Sequence, residues 1–300
     1  MRVLLIVALA GYAAVVPVAG QDRGSGLEVS LPGALQPGGV ALLTVRSPGP
    51  LASIEGDAFG RPLRFWSTAD SLQWHGLVAP GLEAKPGSHD VVVRGTRVDG
   101  AGVSGQASVA VDAKRFETRR LKVDPQFVNP PSREADRIAR EAKLLARLFT
   151  GRSDRLWRGP FVLPVPGAAT SSFGRLTVLN GESRGRHQGA DFRAASGTLV
   201  HAPNAGRVVL ASDLYFSGNT VVLDHGLGMF SLFGHLSRMS VSHGDVVGRG
   251  DALGESGATG RVTGPHLHWA LRLGELSVDP LSLIGALADL TEPKDASPPR

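Results

Sequence analysis

The chain contains no cysteine. That excludes disulfides, thiol catalysis and Cys-based zinc fingers, and it leaves no thiol to carry a lipid. No His-Glu-x-x-His pattern occurs, so the metallopeptidase scheme with a glutamate base on a helix does not apply. No internal repeat is evident, and beyond the first twenty residues no segment is apolar enough to cross a bilayer. What is plentiful is Gly (39) and Pro (20), which makes turns frequent and favours short strands over long helices. Apolar residues at 42% and charged residues at 20% suit a globular chain with a real core. At roughly 150 residues per domain, 300 residues point to about two domains.

Residues 1–20 read as an export signal. Met1-Arg2 gives a positive start, Val3 to Val16 is apolar, and Val18-Ala19-Gly20 supplies small residues before Gln21. The 14-residue apolar run is shorter than the roughly 20 needed to span a bilayer. The expectation is cleavage after Gly20, an exported chain in the periplasm or cell envelope, and no stable membrane span afterwards. The formal charge of +5 is uneven: residues 121–158 hold nine Lys/Arg against five Asp/Glu, whereas 159–285 balance nine against nine. A basic stripe can bind nucleic acid, but export directs it to an anionic envelope instead, so no nucleic-acid partner is expected.

Between residues 28 and 115, short apolar runs alternate with turn clusters. Val40 to Val45, Asp90 to Arg94 and Ala107 to Val111 are separated by Pro37-Gly38-Gly39, Pro86-Gly87 and Asp99-Gly100. This spacing predicts a mostly β protein whose residues 21–120 form an immunoglobulin-like β-sandwich, with Trp66 and Trp74 in its core. Pro130-Pro131-Ser132 opens a helix, with Ser132 as the expected N-cap and Ile138, Ala142, Leu145 and Phe149 on one apolar face. Residues 121–158 are therefore read as a basic helical linker. From Phe161 the pattern returns to β, in Arg207 to Leu210, Thr220 to Leu223, Met229 to Phe233 and His266 to Leu273. Residues 159–285 form the second unit and 286–300 a tail.

Three motifs in that unit carry chemistry: His187-Gln188-Gly189-Ala190-Asp191, Gly234-His235-Leu236 and His266-Leu267-His268. Catalytic zinc typically takes three protein ligands and keeps a fourth position for water, and imidazole and carboxylate both suit it. His187 and Asp191 can supply two ligands from neighbouring backbone. His266 and His268 lie two apart on a strand, so both rings face one side while Leu267 turns into the packing. One of them can bind metal while the other works on water or substrate. His75, His89, His201, His225 and His243 stand outside these motifs, and His225 in Asp224-His225-Gly226 reads as a turn residue.

In order and context these motifs resemble the M23 family of metallopeptidases, the lysostaphin-type or LytM-domain enzymes. The resemblance covers roughly residues 160–284. It includes Ser172-Phe173-Gly174, His187 to Phe192, Gly234-His235-Leu236-Ser237, and Gly257-Ala258-Thr259-Gly260-Arg261-Val262-Thr263-Gly264-Pro265-His266-Leu267-His268. It implies a small antiparallel β fold with Zn2+ in a narrow groove, ligated by His187, Asp191 and His268, with His235 and His266 doing the catalytic work. It further implies a zinc metalloendopeptidase acting on peptide stems or cross-bridges of peptidoglycan, with regulatory envelope proteins as further partners. Phe233 departs from the pattern, which often has Tyr there. Relatives that lose zinc ligands act as non-catalytic regulators or peptidoglycan-binding modules; the full ligand set here argues against that alternative.

Overall fold

The computed structural model describes residues 26–68, 71–122, 129–171 and 173–290. The expected export signal, Ser172 and residues 291–300 lie outside them.

The first unit runs through β1 (Glu28–Ser30), β2 (Ala34–Leu35), β3 (Ala41–Arg46), β4 (Leu51–Ala58), β5 (Arg61–Pro62), β6 (Phe65–Ser67), β7 (Gln73–Val78), β8 (Gly87–Arg97) and β9 (Gly102–Val111). These form two sheets, ordered β1-β3-β7-β6 and β2-β9-β8-β4-β5. Side chains alternate between faces along a strand. Ala41, Leu43 and Val45 of β3 therefore point inward together, as do Val91 and Val93 of β8, and the two sheets share one core with Val78 and Val109. Trp74 packs at the edge of that core, whereas Trp66 is buried outside it, in the cluster that joins the two units.

The chain then crosses to the second unit. β10 (Thr118–Leu121) pairs with the second unit in parallel, as described below. α1 (Ala135–Leu148) follows. Ser132 is not its N-cap. It sits in a 3-10 turn, Ser132–Glu134, closed by the Glu134 N–H donating to the Pro131 carbonyl, and Glu134 takes the cap position with no side-chain bond. Leu145, Leu148 and Phe149 pack against Leu210, Val222 and Phe230, whereas Ala142 is exposed. The buried stripe is turned toward Leu148, because Glu141 faces the second unit and accepts the Tyr215 N–H.

The second unit comprises β11 (Ala169–Ser171), β12 (Leu176–Leu179), β13 (Glu182–Arg186), β14 (Gly189–Phe192), β15 (Leu199–His201), β16 (Gly206–Leu214), β17 (Gly218–Gly226), β18 (Met229–Met239), β19 (Val246–Val247), β20 (Ala252–Ser256), β21 (Leu267–Leu273), β22 (Leu276–Val278) and α2 (Pro280–Ala286). The main sheet is ordered β11-β14-β21-β18-β17-β16-β19, with β15, β20 and β22 attached beside it. A small sheet, β10-β12-β13, borrows its edge strand from the segment leaving the first unit. Phe192, Val221, Phe233, Leu236, Leu267 and Trp269 fill the core under the main sheet.

The two units meet over a third apolar cluster. Val40 and Trp66 of the first contact Trp157, Phe161, Met229, Leu271 and Leu283 of the rest. The Trp66 and Trp157 rings meet edge to face with centroids 5.0 Å apart, an arrangement worth about 0.5–1.5 kcal/mol beyond buried area.

His225 is not a turn residue. It lies within β17 and is fully buried. Its Nδ1–H donates to the Ala205 carbonyl and its Nε2 accepts from the Ser231 hydroxyl, whose oxygen in turn accepts the Trp269 indole N–H. Burial, partly offset by the Ala205 bond, lowers its pKa to about 4. It is a core histidine whose polar atoms are all satisfied.

Candidate metal centre

Register builds the site. β14 and β21 pair antiparallel with Asp191 opposite His268, and β18 pairs the other edge of β21 with Gly234 opposite His268. His187 sits in the short connection between β13 and β14. Its backbone is fixed at both ends: the Gly174 N–H donates to its carbonyl at 2.8 Å, and its own N–H donates to the Arg175 carbonyl at 2.9 Å. Gly189 permits the close approach of β14 to β21. A Cβ there would stand 2.5 Å from the Trp269 carbonyl oxygen and 2.8 Å from Cε1 of His268.

Three ligand-type atoms converge. His187 Nε2 lies 3.1 Å from Asp191 Oδ1 and 3.1 Å from His268 Nδ1, and His268 Nδ1 lies 2.9 Å from Asp191 Oδ1. The set is half-buried, with side chains 17% and 18% exposed at His187 and Asp191. Burial alone would push the Asp191 carboxyl up, but hydrogen bonds from His187 and His268 outweigh it and hold the group well below the usual carboxylate range. Burial lowers His268, against the pull of Asp191. One carboxylate oxygen and two imidazole nitrogens lie 2.9–3.1 Å from one another, close enough to share one cation. This is the donor set that zinc takes, so the residues present fit the metal. Among the described residues, this is the group of three whose ligand atoms come together, all within 4.8 Å.

Two further imidazoles border the set. His266 Nε2 is 3.8 Å from Asp191 Oδ1, and its Nδ1–H donates to the Gly264 carbonyl at 2.9 Å. His235 lies with ring centroids 4.8 Å from His266 and 5.9 Å from His268, and its Nδ1–H donates to the Thr259 carbonyl at 2.9 Å. A carbonyl can only accept, so both rings hold their proton on Nδ1 and present an Nε2 lone pair. Burial and the neighbouring His268 lower the His235 pKa to about 4, against the Thr259 bond. His235 is also held at φ +65°, a left-handed conformation rare for a residue with a side chain. Its N–H donates to the Ser217 carbonyl at 2.7 Å, and the β17–β18 register shifts between Asn219 and Val221. This local irregularity re-aims the ring out of the sheet alternation toward the other histidines.

All five sequence-picked residues therefore come together: His187, Asp191 and His268 at the centre, His235 and His266 beside them. Phe233 lies in the core, stacked parallel with Trp269 at a centroid distance of 6.5 Å. Sequence reasoning missed Thr259. Its carbonyl holds His235, while its hydroxyl accepts the Asn219 N–H and donates to the Leu236 carbonyl. The signal was present in Ala258-Thr259-Gly260. Gly218 and Gly260 have positive φ, and a Cβ on Gly218 would stand 2.3 Å from the Thr259 hydroxyl oxygen, so two loops cross there at backbone contact.

A model of peptidase family M23 matches residues 185–280, the stretch that holds all five residues. The peptidoglycan DD-endopeptidase ShyA of Vibrio cholerae serotype O1 is 45% identical over 85 residues, 28% of this chain and 20% of its own length. The DD-carboxypeptidase/endopeptidase Mpg of Neisseria meningitidis serogroup B is 37% identical over 111 residues, 37% of this chain and 26% of its own length. The chain thus spans about a fifth to a quarter of these curated relatives. The likeness to a solved peptidase M23 structure from Pseudomonas aeruginosa is far broader: 32% identity and a TM-score of 0.62, covering 83% of this chain and 94% of that one. With motifs, site and fold agreeing over that length, the chain belongs to peptidase family M23.

Proposed function

We propose that the protein is an exported zinc metalloendopeptidase that hydrolyses peptide bonds in peptidoglycan stems or cross-bridges. The observation that carries this reading is the meeting of one carboxylate and two imidazoles around a common point, with two more imidazoles presenting Nε2 beside them. The relatives named as peptidoglycan endopeptidases supply the substrate class. We read residues 159–285 as the peptidase unit, 21–120 as a β-sandwich and 121–158 as the connector between them.

His187, Asp191 and His268 hold the metal. When bound, zinc supplies Lewis-acid polarisation of the scissile carbonyl and lowers the pKa of a water toward about 7. Asp191 contributes one negative charge to the ligand set, and the low pKa of its carboxyl keeps that charge present at neutral pH. His235 and His266 handle protons. Since each Nδ1–H is committed to a carbonyl, the proton of the attacking water is taken at an Nε2 and delivered to the leaving amine from there. The second ring, fixed by its own Nδ1–H bond, borders the same water and orients it through its Nε2 lone pair.

The test is a digest of purified sacculi, with released muropeptides read by mass spectrometry and Asp191→Ala as control. New peptide ends that vanish in the variant support the reading and name the bond. No release by the unaltered protein with zinc added overturns it.

A further inference from the structure

A second site lies away from the metal centre. A cleft of about 410 Å³ opens where the sandwich, the end of α1 and the peptidase unit meet. It is within the roughly 300–1,000 Å³ of small-ligand sites, which favour domain junctions. Leu63, Trp66, Phe149, Trp157, Met229 and Leu276 give it apolar walls. It sits at the Met229 end of β18, roughly 20 Å along that strand from His235.

Its rim carries unneutralised positive charge. Arg61 and Arg64 come from the sandwich and Arg152 from the turn after α1, and all three are exposed. Among the described residues, none of these side chains has a hydrogen bond or ion pair. Glu275 is the one carboxylate in the lining. Outside the lining, Arg155 stacks 5.3 Å from the Trp66 ring and 5.1 Å from the Trp157 ring.

The same two tryptophans hold an unmet demand. Trp66 and Trp157 are 7% and 1% exposed, and the indole nitrogen of each lacks a hydrogen-bond partner. Buried donors are almost always paired, and an unpaired one costs about 1–3 kcal/mol. Apolar walls and a triad of guanidinium groups without a protein partner match one ligand chemistry. Carboxylate oxygens accept from Arg in a planar fork, and an aliphatic body fills the walls. Strand addition by a peptide is disfavoured at this edge, because Pro62 of β5 has no N–H to donate.

We infer that this junctional cleft binds a small amphipathic anion, an aliphatic chain ending in a carboxylate. Dodecanoate is the probe, titrated into the whole protein below its micelle concentration. Tryptophan emission and calorimetry are the readouts, since Trp66 and Trp157 line the cleft. The expected result is saturable binding, weakened at least about tenfold in R64A/R152A, by loss of charge-assisted hydrogen bonds. Dodecanol and dodecyltrimethylammonium, matched in chain length, should bind at least about tenfold more weakly to the unaltered protein, a comparison that needs no variant to fold. Absence of saturable dodecanoate binding overturns the inference. Equal binding of dodecanol or the cation also overturns it, because the arginines would then read no charge.

Discussion

Asp191 and His268 stand directly opposite one another on neighbouring antiparallel strands, and their side chains meet at 2.9 Å between Oδ1 and Nδ1. Two positions far apart in sequence are thus tied by a single register, and a slip of one strand by one residue would turn its side chain to the other face and separate the pair.

Asp191→Asn tests the carboxylate without changing its shape. The substitution removes the negative charge that His187 and His268 share. The purified variant is expected to contain far less zinc by elemental analysis and to release no muropeptides. Full zinc occupancy and activity in the variant would remove Asp191 from the metal set.

Gly189→Ala probes the spacing of β14 and β21. The new methyl would meet the Trp269 carbonyl and the His268 ring well inside contact distance. Overpacking of this kind costs about 1–3 kcal/mol, and here the displaced group is one of the three proposed ligands. Thermal unfolding should show the loss, and zinc affinity should fall with it. A stable variant with undiminished zinc binding would show that the strands are free to separate.

The buried His225 sets a pH dependence of stability. Its pKa is lowered from an ordinary 6.5 to about 4 in the folded protein, so the unfolded chain binds the proton more readily. Its contribution is fully present above pH 6.5 and is lost progressively as pH falls toward about 4. The loss amounts to about 3 kcal/mol, taking 1.36 kcal/mol per pKa unit. Denaturant unfolding of the protein and of His225→Gln between those pH values should show a steeper decline in the unaltered chain. Parallel curves would discard His225 as the source.

Trp157 joins the two units through Trp66 and Phe161. Trp157→Ala is expected to cost about 3–5 kcal/mol, as large aromatic deletions do in a closed core. Calorimetry would register it as a fall in Tm, with the transition splitting where the sandwich and peptidase unit no longer melt together. An unchanged single transition would place the coupling elsewhere.

The candidate site residues could be picked from the sequence because the order of their motifs resembles family M23, while local chemistry showed only which side chains share a face. His-x-His on a strand must place both rings on one side, and Leu267 between them is fully buried, as alternation requires. The β character followed equally from apolar runs cut by Gly and Pro. Other features depend on partners distant in the chain. The start of α1 was misread because Ser132 has the chemistry of a cap, while the backbone after Pro131 takes one 3-10 turn before the α-helix begins. His225 was misread because Asp-His-Gly looks like a turn. Its place in the core depends on Ala205 and Ser231, which sequence spacing does not bring to it.

By itself the sequence determined which side chains can hold a metal and move a proton, since residue type and strand period are properties of short segments. Tertiary structure alone decided that Asp191 faces His268, that the Thr259 carbonyl selects the proton position on His235, and that a cleft rimmed by Arg61, Arg64 and Arg152 exists at all. Each of these is a meeting of segments brought together by strand pairing and core packing, and the free energy that settles them belongs to the assembled fold.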